Sequence, residues 1–140
     1  AATAVLTDAK VAPELENEAR YYRALSLVKV NQMAHAVADW QSLAQDTRNA
    51  YGAEAKYQLA QYLFDAGKTA EAEKEVLNYL EVSTPHTYWL ARSFVLLSDI
   101  YAKLDRKLEA RQYLLSLKQN YQADDDIAGM IESRLEKLNE

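Results

Sequence analysis

Apolar residues recur along this chain at spacings of three and four, the period of one helix face, in seven stretches separated by short polar or turn-forming segments. The first predicted helix opens near Pro13, a residue suited to a first helical turn, and runs to about Val30. Glu14, Glu16 and Glu18 sit near its positive end, and Leu15, Ala19, Tyr22 and either Leu25 or Ser26 mark its buried side. The second, about Met33 to Gln45, carries Ala36, Val37, Trp40, Leu43 and Ala44. Asp46-Thr47 is the expected cap of a third, which runs to Ala66 through Tyr51, Ala55, Leu59, Tyr62 and Leu63. Gly67 closes it in the manner of a C-terminal glycine. The fourth, about Thr69 to Val82, carries Ala72, Val76, Leu77, Tyr79 and Leu80. Ser83-Thr84-Pro85 is read as its stop and as the start of a fifth helix reaching Leu104, with Pro85 in an early helical position. A sixth spans Arg106 to Tyr121, and Asp124-Asp125-Asp126 opens a seventh.

The segments are also similar to one another. Ala60-Gln61-Tyr62-Leu63-Phe64-Asp65-Ala66-Gly67 lies over Ser98-Asp99-Ile100-Tyr101-Ala102-Lys103-Leu104-Asp105 at an offset of 38 residues, and a weaker copy lies 36 residues upstream. The alignment puts Asn31, Gly67 and Asp105 at equivalent turns, and these are the residue types that best tolerate the left-handed backbone. It also superimposes Ala36, Ala72 and Ala110, small residues that let two helices approach closely. A period of this length in a helix-forming sequence predicts stacked antiparallel helical hairpins.

Ala24, Leu27, Asn31, Ala36, Trp40 and Leu43 form one copy of the pattern; Leu59, Ala60, Leu63, Gly67, Ala72 and Val76 form a second; Leu97, Ser98, Tyr101, Asp105, Ala110, Leu114 and Leu117 form a third. This pattern resembles the tetratricopeptide repeat family, although Lys56 stands where the family carries an early Trp. The resemblance implies an all-α fold, a right-handed superhelical stack of antiparallel hairpins. Its divisions would be residues 1–12 as the remnant of a preceding helix, hairpins at 13–46, 47–83 and 84–121, and a capping helix at 122–140. The stretch from Tyr88 to Ser93 and the Asp-rich last helix resemble the C-terminal part of long repeat proteins of the Bacteroides group. That likeness implies a place in the cell envelope, and Val5, Leu6 and Ala9, which keep helical spacing and then run out, are read as the tail of an earlier helix in a longer chain.

Net charge changes the picture only by exclusion. At −5, with a pI near 5.1, the chain lacks the basic excess of a general nucleic-acid binder. No cysteine is present, which removes disulfides and thiolate chemistry. No apolar run is long enough for a transmembrane helix, so direct membrane insertion is not expected.

No motif points to a reaction. His35 and His86 stand alone, the three glycines form no phosphate-cradling loop, and there is no Gly-x-Ser-x-Gly elbow. Asp124-Asp125-Asp126 lacks the ligand spacing of a calcium loop and is read as a helix start. No catalytic, cofactor or metal residue is assigned, and the chain is read as non-enzymatic.

The ten tyrosines are the notable excess. Tyr62, Tyr79, Tyr101 and Tyr113, with Trp40, fall on packing stripes and are assigned to the core. The family's first helices line a concave groove, and the register places Tyr21, Leu25, Val28, Tyr57, Gln61, Phe64, Arg92, Val95 and Asp99 there. The implied function is protein–protein interaction, with a peptide or partner protein laid in an apolar groove that carries few charges. The alternative is a purely structural end-cap whose binding site lies upstream, in contact with earlier repeats of the same chain. The last helix is read as a cap, with Ile127, Met130, Ile131, Leu135 and Leu138 packed on Leu108, Leu115 and their neighbours. Its opposite face, which includes Glu132, Ser133, Glu136 and Lys137, is assigned to water.

Overall fold

The structure is a computed structural model that describes residues 12–30, 32–81 and 85–139. Among the described residues it is entirely helical, without a strand. The helices are α1 (Ala12–Lys29), α2 (Met33–Leu43), α3 (Ala50–Asp65), α4 (Thr69–Glu81), α5 (Thr87–Lys103), α6 (Lys107–Asn120) and α7 (Ile127–Leu138). Each lies within a few residues of its predicted bounds. The chain divides into two compact units. Among the described residues one unit runs up to Leu59 and takes in His86, and the other begins at Ala60 and takes in Thr87 onward, so the division falls inside α3.

The predicted turns have a common chemistry. The amide of Lys68 donates to the Leu63 carbonyl at 2.8 Å, and that of Arg106 donates to Tyr101, also at 2.8 Å. Gln32 repeats the bond to Leu27 at 2.8 Å. This six-residue closure satisfies carbonyls that a helix end leaves without partners. It needs a left-handed residue just before the donor. Gly67 has φ of 81° and Asp105 has φ of 61°, as their turn roles require. Asn31 lies outside the described residues. Ala36, Ala72 and Ala110, each four residues past the closing amide, are fully buried.

In the first unit α1 packs on α2 through Ala24, which has no exposed surface. Tyr22, assigned to the buried side, is instead 55% exposed. Neighbouring helix positions point about 100° apart, so only one of Tyr21 and Tyr22 can turn inward. Tyr21 does, and its ring lies 4.8 Å from that of Tyr51. Asp39, a buried carboxylate that apolar periodicity does not reveal, accepts from Arg23 Nε at 2.8 Å and Nη2 at 2.5 Å, tying α2 to α1. Burial of such a charge is tolerable only with a partner of this kind. Trp40 and Leu43 are core, as expected.

The cap of α3 is Asn49, whose side chain accepts the Tyr51 amide at 2.8 Å. Asp46 instead receives the Arg48 amide at 3.1 Å, making a separate turn, so the expected Asp46-Thr47 cap lies one turn too early. Ser83 and Thr84 fall outside the described residues; Pro85 lies before α5 rather than within its first turn.

The second unit is organised around α5, which packs on α4, α6 and α7 and buries residues on every side. Two of them are serines. Ser93 Oγ donates to the Trp89 carbonyl at 2.9 Å and Ser98 Oγ to that of Val95 at 2.6 Å, so neither hydroxyl is wasted in the core. Tyr79 and Tyr101 are core, as assigned, whereas Tyr62 and Tyr113 are only half-buried. Leu77, expected on the buried stripe of α4, is exposed, because Val76 and Tyr79 already occupy the inward side. α7 buries Ile127 and Ile131 against Ala91, Val95, Leu114 and Leu117, with Met130, Leu135 and Leu138 at the margin. Of the expected bed, Leu108 is exposed and Leu115, half exposed, only lines a surface hollow beside Leu135; the buried bed is Leu114 and Leu117, which α6 turns to α7.

Candidate functional site

The nine residues assigned to a groove divide between the units. In the first, Tyr21 is half-buried and donates to both carboxylate oxygens of Glu54, at 3.0 and 3.1 Å. Burial, and then the Glu54 charge, push its hydroxyl up to about 12. Leu25 is half-buried and Val28 exposed. Tyr57 is buried at 6% exposure, so its replacement would test the core rather than a groove. In the second unit Val95 is core, and Arg92 donates to the Tyr88 hydroxyl at 3.0 Å and lies 5.8 Å from the Trp89 ring centre. Gln61 donates along its own helix to Asp65 at 2.8 Å.

Phe64 and Asp99 are the two that meet. They line an open cavity of about 530 Å³ together with Ala102, Lys103, Ser133, Arg134 and Lys137. A smaller hollow of about 140 Å³ shares Asp99, Ala102, Arg134 and Lys137 and adds Ser98, Lys107 and Leu138. Phe64 stands in the last turn of α3, fixed by the Gly67 amide donating to its carbonyl at 3.0 Å. Lys103 ends α5, where a cation is favoured by the helix dipole, and its ammonium lies 5.8 Å from the Phe64 ring centre.

The opposite wall is α7. Val95 and Ile131 belong to one apolar layer between α5 and α7. One helical turn further along each helix come Asp99 and Arg134, so the hydrophobic layer is succeeded by an ionic one. Arg134 Nε and Nη2 reach the two Asp99 oxygens, each at 3.3 Å. This is a fork geometry, stretched beyond the usual range for such bonds. Burial raises the Asp99 carboxyl above its ordinary value, and Arg134 and Lys137 only partly oppose it.

Arg134 and Lys137 were not foreseen in a groove. Lys137 and Ser133 were assigned to water, and the groove was expected to be apolar with few charges. The signal available was Arg134 itself, a charge placed one turn after Ile131 on the apolar stripe. Among the described residues no three His, Asp or Glu side chains converge to hold a metal ion, and no helix is long and apolar enough to cross a membrane.

The raised Asp99 carboxyl has a sign that can be checked. A carboxylate whose folded value lies above its unfolded one contributes stability at low pH and loses it as pH rises through the folded value. Asp99→Asn is therefore expected to melt above the parent at neutral pH. The gap should close below about pH 4, where Asp99 is protonated in both states. Thermal melts across that range decide it. A variant melting lower at neutral pH would mean that the Arg134 pair outweighs the burial cost.

No protein-family model, no curated protein and no solved structure matches the chain.

Proposed function

We propose that the chain is a non-enzymatic protein-interaction module, a stack of tetratricopeptide-like hairpins that binds a peptide or a partner protein. The observation that carries this reading is the cavity lined by Phe64 and Asp99 in the second unit. It joins an aromatic face to fixed charges on the ends of rigid helices, the combination that anchors an extended segment and sets its register. The recurrence of the same turn-closing bond at Gln32, Lys68 and Arg106 supports the hairpin reading. So does full burial of the three equivalent alanines. The end-cap reading has its own support: α7 buries Ile127 and Ile131 while Glu132 and Glu136 remain exposed, as a solenoid terminus requires.

Selection of peptides from a random phage-displayed library on the immobilised chain tests the proposal. Enrichment of a consensus is expected, with affinity reduced about tenfold by Phe64→Ala, the equivalent of roughly 1.4 kcal/mol. The helical CD signal should be unchanged, since Phe64 is only half-buried. Failure to enrich any sequence, or binding indifferent to Phe64, would favour the end-cap.

A further inference from the structure

We infer that Asp99 stands in for a partner's carboxylate on Arg134, so that the cleft takes an acidic peptide segment and Asp99 limits how tightly it is held. This rests on the proposed peptide-binding role and names the partner's chemistry. Lys103, Arg134 and Lys137 line the larger cavity, and among the described residues Asp99 is the one acid on the lining of either hollow. Three cations thus face one carboxylate. Among the described residues Asp99 is ion-paired with Arg134, while neither Lys103 nor Lys137 has an ion pair. A cation cluster of this kind stands out in a chain of net charge −5. It selects anionic side chains by short-range complementarity, because the long-range field of the whole chain repels them.

The internal pair is also poorly made. Both of its bonds are 3.3 Å long, whereas a guanidinium fork on a carboxylate free to adjust closes to about 2.8 Å. Asp99 is carried on the short side chain of a residue in α5, so its reach toward Arg134 is limited. A Glu or Asp on an extended peptide is under no such constraint. It can meet Arg134 and Lys137 from the open side, with its neighbouring residue against Phe64. Burial disfavours the ionised form of Asp99, which weakens the competitor further.

Three fluorescein-labelled octapeptides test this: one alternating Glu and Leu, one with Gln in place of Glu, and one with Lys. Fluorescence anisotropy with the whole chain should show the Glu peptide binding at least about tenfold tighter than the Gln peptide, with the margin shrinking as salt rises. Asp99→Asn should tighten the Glu peptide several-fold, and by a larger factor than it changes binding of the Gln peptide. Arg134→Gln should abolish the preference. Lys137→Gln, at an exposed position that does not serve the core, should reduce it and guards against misfolding of the Arg134 variant. Equal binding of the Glu and Gln peptides overturns the inference and leaves peptide binding standing. Tighter binding of a single-stranded oligothymidylate than of the Glu peptide overturns it in favour of a phosphate ligand. Binding of none of the probes overturns both readings, as does binding that is unaffected by Phe64→Ala.

Discussion

Replacing Gly52 by alanine is expected to destabilise the first unit by about 3 kcal/mol or more, against the sign that helix propensity alone predicts. Gly52 lies in the first turn of α3, and alanine in a helix normally gains about 1 kcal/mol over glycine. Here a Cβ would fall well inside contact distance of the Asp46 carbonyl oxygen, 2.6 Å from that of Leu43 and 2.8 Å from the Asp46 carbonyl carbon. All three are backbone atoms of the end of α2 and the turn after it, so no side chain can rotate out of the way. Gly129 is the control. It lies inside α7 with nothing within 4 Å of a Cβ, and Gly129→Ala should gain about 0.5–1 kcal/mol. Thermal melts followed by circular dichroism compare the two. If Gly52→Ala also melts above the parent, α3 does not approach the α2 turn as closely as described.

Truncation after Ala123 has the second large effect. It removes α7 and with it the burial of Ile127 and Ile131, each about 2 kcal/mol of transfer free energy, plus part of that for Met130, Leu135 and Leu138. A gross loss of about 5 kcal/mol or more corresponds in a domain of this length to a fall in melting temperature on the order of 10 °C or more. It also bares Leu114, Leu117 and Val95, so the shortened chain should associate at concentrations where the parent does not. Sedimentation and melting of the two chains read both effects. A truncated chain that stays monomeric and equally stable would show that the α7 stripe contributes little to the fold, and would move attention to that stripe as a surface for a partner.

The positions of the helices were legible in the sequence because they depend on local chemistry. Apolar spacing of three and four locates each helix, and a residue tolerant of positive φ stops it; Gly67 and Asp105 do so at the predicted places. Small residues at equivalent positions foretold close approach, and Ala72 and Ala110 are fully buried. The long-range partners were not legible. Periodicity identifies a stripe but not which of two adjacent apolar residues turns inward, which is why Tyr22, Leu77 and Leu115, beside Tyr21, Val76 and Leu114, were assigned to the core and are exposed. Gly52 reads in sequence as a weak helix residue, and its need for a missing Cβ comes from backbone of a different element.

The candidate site divides along the same line. Phe64 and Asp99 were foreseen because the repeat register puts them, with Ala102 and Gln61 as their counterparts, on one face of their helices, a one-dimensional property. Arg134 was missed as the partner of Asp99 because 35 residues separate the ion pair. The sequence by itself determines that this chain is helical through its apolar spacing, and where helices stop through its turn residues. Only the packing of α7 along α5, set by the layer that Val95 and Ile131 share, decides that the next layer is ionic. A cleft expected to be apolar is basic for that reason: burying one stripe carries every other side chain of a rigid helix to a fixed place.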